Sequence, residues 1–479
     1  MFGGSATWAS GSWRRTRAPR GVDRGYPSAV MTEGDPTPPR PAGTEDAPGP
    51  PPKATTSMWR DRTFLAVWSA STVSLFGSLI TRTALPFAAI LVLDAGPLEI
   101  SAIRSAELIA GLFVGLFAGA WVDRLLRRPI LIWADIVRAV LLGSIPVAFV
   151  LGVLGMPHLL FVAFAAAVAS TFFDVADNAY LPTVVPRERL VAANSALTAT
   201  GSVAEFSAFG IGGFLIELFK APIAIAIDAV TFVVSALLLM TIRKKEPPPA
   251  PVADREPVLR EIRDGMRIVF RSPVLRALAL SHGGTHILWG IFGTSYLIFA
   301  MDELGLGPAA IGVIAAVGGI GSLAGSALAP RMVRRFGIGP TILLGMLGFL
   351  VGNSLIPLAP SGALFLGAAF LITQQLFGDA LATVYEITEV SLVQASVGDR
   401  VLGRVNATIG TFTTLLTLTG AILGGIIAET WGLRAAFAIG LLGAVFAIIV
   451  VWFSPVRFIR DAPIAPPTTM PGDGMPLTE

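Results

Sequence analysis

The chain has 479 residues, of which 53% are apolar and only 14% are charged, and its mean hydropathy is +0.72. A typical soluble domain carries about 25% charged residues, so this composition excludes an ordinary soluble protein. The net charge of +3 gives no reason to expect nucleic acid as a partner. Cysteine is absent, which excludes disulfides and metal sites built on thiolates.

Both ends of the chain are polar and rich in proline. Residues 1–57 include "PTPPRPAGTEDAPGPPP" and contain no apolar stretch of the kind that a secretory signal requires. Because such a composition cannot bury a core, we expect a disordered tail over 1–57 and a second one over 458–479. Met31 and Met58 are alternatives to Met1 as the start of translation.

Between the tails lie twelve apolar stretches, each long enough to cross a hydrocarbon core of about 30 Å as a helix. The sequence therefore predicts an all-α integral membrane protein with six spans over 58–242 and six over 273–457. The linker, 243–272, starts with charged and proline residues and continues as a short amphipathic surface helix. The predicted spans are 63–93, 99–122, 129–152, 158–181, 191–217, 221–242, 273–301, 308–330, 339–359, 361–393, 402–428 and 433–455.

The basic residues predict the orientation of the bundle. Loops after even-numbered spans, with the linker among them, hold eighteen Lys and Arg residues, whereas loops after odd-numbered spans hold only Lys220 and Arg434. Positive charge marks the cytoplasmic side of a membrane protein. We therefore expect a multi-pass protein of the cytoplasmic membrane with both termini in the cytoplasm.

The second half of the chain repeats the first. At an offset of 212, "DVAD" (Asp174, Asp177) aligns with "EITE" (Glu386, Glu389), and Asn194, Gly212, Gly213 and Glu217 align with Asn406, Gly424, Gly425 and Glu429. At an offset of 207, the arginines of "GAWVDRLLRR" align with those of "SALAPRMVRR", where Pro330 replaces the aspartate. Parallel repeats of this kind predict a substrate site between the halves, near the bilayer midplane.

These features resemble the major facilitator superfamily, whose loop motif "GAWVDRLLRRP" matches well. The stretches "FFDVADNAYLPTVVPRERLVAANS" and "VYEITEVSLVQASVGDRVLGRVNA" are similar to the drug:proton antiporter branch, which includes macrolide efflux proteins and siderophore exporters. The resemblance implies two pseudo-symmetric six-helix halves that export small amphipathic molecules by alternating access and proton antiport. It implies the lipid bilayer, a small-molecule substrate and protons as partners, and neither a cofactor nor an enzymatic activity is predicted. The oligomeric state is open, with a monomer as the default.

One departure keeps other functions open. Antiporters of this superfamily usually carry Gly-Pro-x-x-Gly-Gly in span five, where this chain has Ala208, Phe209, Gly212 and Gly213. A facilitator or importer on the same fold, or a membrane sensor that transports nothing, therefore remains an alternative. The glycines of spans five and eleven are predicted to serve helix packing, and they are Gly212, Gly213, Gly420, Gly424 and Gly425.

The charged motif has a functional interpretation and a simpler one. Gly119 permits close helix approach, and the resemblance implies that Asp123 lies against the start of span eleven, where the helix dipole favours an anion. The motif would then latch the halves together on the cytoplasmic side, with its arginines pairing acids of span four. In the simpler interpretation the arginines only mark the cytoplasmic side. The predicted gate residues are Gly119, Asp123, Arg124, Arg127, Arg128, Asp174, Asp177, Arg331, Arg334, Arg335, Glu386 and Glu389.

Charges inside the predicted spans are expected to pair or to function, because burying them in lipid is costly. Counted along their helices, Arg138 and Asp174 lie at similar distances from the cytoplasmic surface, so the two side chains can pair. Arg82 is predicted either to pair with Glu107 or to meet an anionic group of the substrate, and Glu205 lies near the middle of span five. The candidates for proton coupling are Glu205, Asp174, Asp135, Arg138 and Asp228, and ion pairing or hydrogen bonding is the alternative role for each.

The remaining polar residues of the spans are candidates for the cavity wall. His282 and His286 are four residues apart, but two histidines without a third ligand make a poor metal site, so no metal is predicted. Aromatic and amide side chains suit an amphipathic ligand, and the cavity candidates are Arg82, Glu107, His282, His286, Trp289, Tyr296, Gln374 and Gln375. No Walker A sequence and no hydrolase triad is present, so neither ATP-driven transport nor enzymatic activity is predicted.

Overall fold

The computed structural model describes residues 58–122, 124–186, 189–244, 246 and 258–461. Within these residues the fold is entirely helical, without strands. The predicted tail 1–57, most of the tail after 458 and part of the linker lie outside the described residues. The helices are α1 Arg62–Leu93, α2 Pro97–Val122, α3 Arg127–Val150, α4 Met156–Val184, α5 Leu190–Phe219, α6 Ala221–Met240, α7 Val258–Arg271, α8 Pro273–Ile298, α9 Pro308–Phe336, α10 Ile338–Leu358, α11 Leu364–Thr373, α12 Asp379–Ser396, α13 Asp399–Trp431 and α14 Leu433–Trp452.

Eleven helical segments in the described part of the chain are long and apolar enough to cross a membrane. One of them, Leu364–Ser396, joins α11 to α12 through a π-helical turn at Gln374–Gly378. The helix α2 has 26 residues and occupies the place of the second predicted span, but it is not among the eleven. The membrane fold is therefore confirmed, whereas the count of twelve spans is not.

Local sequence signals set many of the helix ends. Asp61 accepts a hydrogen bond from the backbone amide of Thr63 (2.9 Å) and so caps the start of α1. The turn between α13 and α14 is made by Gly432, which has a φ of +90° that suits glycine. The equivalent turn between α5 and α6 holds Lys220 at a φ of +67°, a conformation that is strained for a residue with a side chain.

Two predicted boundaries differ from the structure. The helix α9 continues through Pro330 to Phe336, so the second basic motif forms the last helical turns and not a loop. Positive side chains are favourable there because the carboxyl end of a helix is partially negative. The carbonyls of Ile459 and Arg460 accept hydrogen bonds from the first amides of α10, so the ordered fold extends beyond the predicted tail boundary at residue 458.

The hydrophobic core is shared at one end of the bundle and divided at the other. We call the end that carries Arg127, Arg128, Arg334 and Arg335 the basic face, and the opposite end the distal face. Among the described residues, one cluster of buried side chains toward the distal face joins α1–α6 with α8–α11, α13 and α14. Toward the basic face each half has its own core, and neither contains a residue of the other half. The two halves are therefore sealed at the distal face and separated at the basic face.

Two glycines at repeat-related positions form the distal seal. A Cβ on Gly213 of α5 would lie 2.4 Å from the carbonyl oxygen of Pro308 at the start of α9. A Cβ on Gly425 of α13 would overlap Ser101 near the start of α2, at 2.3 Å from its Cβ. Both helix pairs cross from one half to the other, so the absence of a side chain allows the two backbones to meet.

Candidate functional site

The separated halves leave a polar cavity on the side of the N-terminal half. Its volume is about 700 Å³, and its wall comes from α1, α3, α4 and α5. The lining is mixed, with hydroxyl and carboxylate groups beside leucine and phenylalanine. The lining residues that carry charge or an amide are Arg82, Arg138, Asp174, Asp177, Asn178 and Asn194.

Asp174 and Asp177 both lie on this wall, one turn apart on α4. The hydroxyl of Ser71 on α1 donates a hydrogen bond to Asp177 (3.0 Å). Asp174 is exposed to the cavity, and its side chain makes no ion pair among the described residues. Asp174 is therefore available to a ligand, whereas Asp177 is held against α1.

The expected pair between Arg138 and Asp174 does not form in this structure. Arg138 instead pairs with Asp135, three residues earlier on the same helix, and both side chains are almost completely buried. The guanidinium lies between the rings of Phe173 (4.3 Å) and Phe232 (4.1 Å). The pair forms within α3 because i,i+3 side chains share one helix face, and the two aromatic rings shield it from water.

Asp228 joins this buried charge cluster from α6. It is fully buried and accepts a hydrogen bond from Thr231 (3.0 Å), and it interacts electrostatically with both Arg138 and Asp135. Gly77 of α1 packs directly against Asp228. A Cβ at Gly77 would lie only 2.0 Å from the Asp228 carboxylate, so a larger residue would not fit without a shift. A second buried carboxylate thus lies within electrostatic reach of the Arg138–Asp135 pair, deep in the N-terminal half.

A second set of charges lies between the two halves. Glu107 pairs with Arg104 on its own helix (2.9 Å), so the expected pair with Arg82 is not formed. Arg82 is exposed to the cavity and interacts electrostatically with Glu205. Glu205 in turn interacts with Glu386 of the other half. Arg82 is therefore a cation that an anionic group of a substrate can reach.

The histidines of α8 face acidic and hydroxyl groups of the C-terminal half. Nδ1 of His282 lies 2.9 Å from Oε2 of Glu389 on α12. Nδ1 of His286 lies 3.2 Å from the hydroxyl of Thr417 on α13, and the two imidazole rings are 4.4 Å apart. Glu389 was predicted as a gate residue, and in this structure it binds a side chain of its own half.

Three of the predicted cavity residues are buried in helix packing instead. Gln374 and Gln375 lie in the π-helical turn and are only 1% and 8% exposed. The π turn contains one more residue than a regular helical turn, which changes the direction of the side chains that it carries. Both glutamines therefore face α9 and α10. Tyr296 is 6% exposed and stacks on Phe292 (4.3 Å). Trp289 is partly buried and packs edge-on against the same phenylalanine.

The first basic motif stabilises its own half. The backbone amides of Arg127 and Arg128 and the guanidinium of Arg127 bind the carboxylate of Glu246, at 2.8 to 3.2 Å. The guanidinium of Arg128 donates to the carbonyls of Leu239 and Met240, the last residues of α6. These arginines therefore satisfy a helix end, and in this structure Arg127 pairs with Glu246 and not with an acid of span four.

Part of the predicted gate at the basic face can be described. Asp123 lies outside the described residues. Among the described residues, a Cβ on Gly119 would meet nothing within 4 Å, and the same holds for Gly403 and Gly410 on α13. The close approach that Gly119 was predicted to provide is absent because the halves are separated at this face. Arg124, Arg331, Arg334 and Arg335 are exposed.

One contact between the two halves was missed by the sequence analysis. Glu217, at the distal end of α5, accepts a hydrogen bond from the amide of Ala309 in the first turn of α9 (3.3 Å). A carboxylate is favourable at a helix N-terminus because the dipole is positive there. The repeat had singled out Glu217 and its partner Glu429, whose carboxylate lies beside Gly96 at the start of α2. The distal seal thus has an acid beside each of its two helix starts.

The family is decided by comparison with known proteins. The family model described as Major Facilitator Superfamily matches residues 67–383 and 278–474. The chain belongs to the major facilitator superfamily. Among curated relatives, the multidrug efflux pump Tap of Mycolicibacterium fortuitum is 27% identical over 80% of this chain and 93% of its own length. Macrolide efflux protein A of Streptococcus pyogenes is 23% identical over 82% of this chain and 96% of its own length.

A solved structure supports the fold. A bacterial homologue of the iron transporter ferroportin in an inward-facing state aligns with a TM-score of 0.66, at 19% identity, over 83% of this chain and 99% of that chain. That likeness shows the major facilitator fold and carries no information on the substrate. Within the described residues no group of three or more His, Cys, Asp or Glu side chains is arranged to hold a metal ion.

Proposed function

We propose that this major facilitator protein is a secondary active transporter that exports small amphipathic molecules from the cytoplasm in exchange for protons. The observation that carries the proposal is the polar cavity of about 700 Å³ lined by the N-terminal half, in a bundle whose two halves are sealed at only one face. A cavity closed on one side and open on the other is what alternating access requires. Its volume falls within the range of pockets for drug-sized ligands, about 300–1,000 Å³.

The orientation follows from charge. Positive residues mark the cytoplasmic side, so the basic face is assigned to the cytoplasm and the cavity to an inward-open state. An exporter loads its cargo in this state. The cavity offers Asp174 to a cationic group, Arg82 to an anionic group, and leucine and phenylalanine side chains to an apolar body. Efflux of drugs and macrolides by the relatives Tap and macrolide efflux protein A supports this substrate class.

A susceptibility screen tests the proposal. Cells that lack their major efflux pumps would express the wild-type protein or the cavity variant Asp174→Asn, and growth would be measured against macrolides, cationic dyes and siderophore-type chelators. We expect the wild-type protein to raise the inhibitory concentration of at least one class and Asp174→Asn to lower that protection at equal membrane abundance. Asp461→Asn, at an exposed position beyond the last helix, is the matched control and should protect fully. Faster accumulation of the compound in cells expressing the wild-type protein would show import and contradict the proposal.

A further inference from the structure

The two halves place an acid–donor pair at the same point of the repeat, but with different chemistry. In the N-terminal half, Ser71 of α1 donates to Asp177 of α4 at 3.0 Å. In the C-terminal half, His282 of α8 meets Glu389 of α12 at 2.9 Å. Asp177 lies seven residues before the last residue of α4, and Glu389 lies seven residues before the last residue of α12. Both pairs therefore lie about 10 Å from the basic face, and only the second contains an imidazole, the side chain whose ordinary pKa lies closest to neutral pH.

We infer that the His282–Glu389 pair holds the proton that this transporter exchanges for its substrate. The inference rests on the proposed proton antiport and names the site of coupling within it. Because an ionised carboxylate only accepts hydrogen bonds, Nδ1 of His282 carries the hydrogen that faces Glu389. The imidazole is 21% exposed, so the coupling proton comes from hydronium in the solvent to Nε2, which forms an imidazolium–carboxylate pair, and it leaves by the reverse step. No other bond changes.

The surroundings of His282 leave few other groups to compete for this proton. From α12 it faces Tyr385, whose hydroxyl is 3.4 Å from Nδ1, and the carboxylates of Glu386 and Glu389. Its own helix adds His286, whose Nδ1 lies against the Thr417 hydroxyl of α13. Between 405 and 428 on α13, and between 435 and 452 on α14, the sequence contains no ionisable side chain.

The cations on other elements that pack against α8 are paired with an acid, stacked on aromatic rings or far from His282. Arg104 of α2 pairs with Glu107. The segment Pro455–Phe458 carries Arg457, whose guanidinium lies over the rings of Trp452 and Phe458. Arg271 ends α7, eleven residues before His282. The charged groups that interact with His282 are therefore the carboxylates of Glu386 and Glu389 on α12.

The position of the pair connects its charge to the movement of the halves. Glu386, one turn from Glu389, is exposed and interacts electrostatically with Glu205 of the other half. Asp174 and Asp177 lie on the opposite wall at the repeat-related position. Closing the basic face would bring these two acidic walls together, and like charges repel. A proton on His282 lowers the negative charge of one wall, so acid pH should favour closure of the basic face.

The test uses distances between spin labels, which need no knowledge of the substrate. The chain has no cysteine, so a cysteine pair at Val191 and Phe336, exposed at the basic-face ends of α5 and α9, can be labelled selectively. We expect the fraction with a closed basic face to rise on the order of fivefold in the wild-type protein between pH 8 and pH 5.5. His282→Gln keeps a donor for Glu389 but cannot take up a proton, and its distances should not respond to pH.

Matched variants separate coupling from packing. His286→Gln alters the neighbouring ring, which faces a hydroxyl and not a carboxylate, and Asp177→Asn alters the equivalent acid of the N-terminal half. His286→Gln should keep the pH response, and Asp177→Asn, which removes one charge of the opposite wall, should weaken the response without abolishing it. Loss of the response in Asp177→Asn with retention in His282→Gln would overturn the inference.

Transport completes the test, with radiolabelled erythromycin as the probe in proteoliposomes. His282→Gln should lose accumulation driven by an imposed pH gradient by at least about tenfold, while exchange of labelled for unlabelled erythromycin at equal pH continues. Accumulation by His282→Gln at the wild-type level would overturn the inference and leave proton antiport standing. A wild-type protein that exchanges erythromycin but ignores the gradient would overturn both.

Discussion

The distal seal can be opened by adding one methyl group. In Gly213→Ala the new Cβ would lie 2.4 Å from the Pro308 carbonyl oxygen and 2.9 Å from the Cα of Gly312, and both are backbone atoms that cannot rotate away. The start of α9 must therefore retreat by roughly 1 Å, and overpacking of this kind costs about 1–3 kcal/mol. Since about 1.4 kcal/mol changes an equilibrium tenfold, the population should move roughly 5- to 150-fold toward the state with the distal face open.

The same helix supplies the control for this prediction. In Gly210→Ala, one turn earlier, the new Cβ would lie 3.7 Å from the Cβ of Ala316, which is an ordinary contact. Spin labels at Leu218 and Leu358, exposed at the distal ends of α5 and α10, report the opening directly. We expect a longer distance in Gly213→Ala and an unchanged one in Gly210→Ala. An unchanged distribution in Gly213→Ala, or an equal shift in both variants, would refute the close-packed seal.

Three further predictions concern stability and can be measured as free energies of unfolding in detergent. Lys220→Gly should stabilise the protein by about 1 kcal/mol because glycine adopts the positive φ without strain. Gly432→Ala at the repeat-related turn should destabilise the protein. A loss of stability in Lys220→Gly would contradict this reasoning. Glu246→Ala should cost about 2 kcal/mol because the Arg127 guanidinium and two backbone amides lose their acceptor, whereas Asp461→Ala should be neutral. Arg138→Met should lower the free energy of unfolding by about 3–5 kcal/mol because it leaves Asp135 buried and unpaired. Adding Asp135→Asn should recover part of that stability. Additive effects in the double variant would show that the pair does not interact.

The sequence predicted the architecture because membrane burial leaves a strong pattern. Long apolar stretches, the uneven distribution of Lys and Arg, and a repeat offset of 212 are all properties of the chain alone. The same offset pointed to Gly213 and Gly425, which turned out to form the two contacts of the distal seal. Backbone contacts of this type require glycine, so they are visible in a sequence.

The pairing of charges was harder to predict, because depth along a helix does not define rotation about its axis. Arg138 and Asp174 were placed at compatible depths, yet Arg138 turns toward Asp135 on its own helix. The role of Glu246 depends on how the linker folds back onto α3. Gln374 and Gln375 were assigned to the cavity on the assumption of a regular helix, and the π-helical turn rotates them into the packing. The pair of His282 with Glu389 joins helices that are about a hundred residues apart in the chain.

The central claim, export driven by a proton gradient, is tested most directly in inverted membrane vesicles. These expose the basic face to the medium if that face is cytoplasmic, and erythromycin uptake into the vesicle then corresponds to export from the cell. We expect the wild-type protein to accumulate erythromycin when the vesicle interior is made acidic and to release it when nigericin collapses the gradient. Accumulation that is equal with and without the pH gradient, or that follows a sodium gradient instead, would contradict the account.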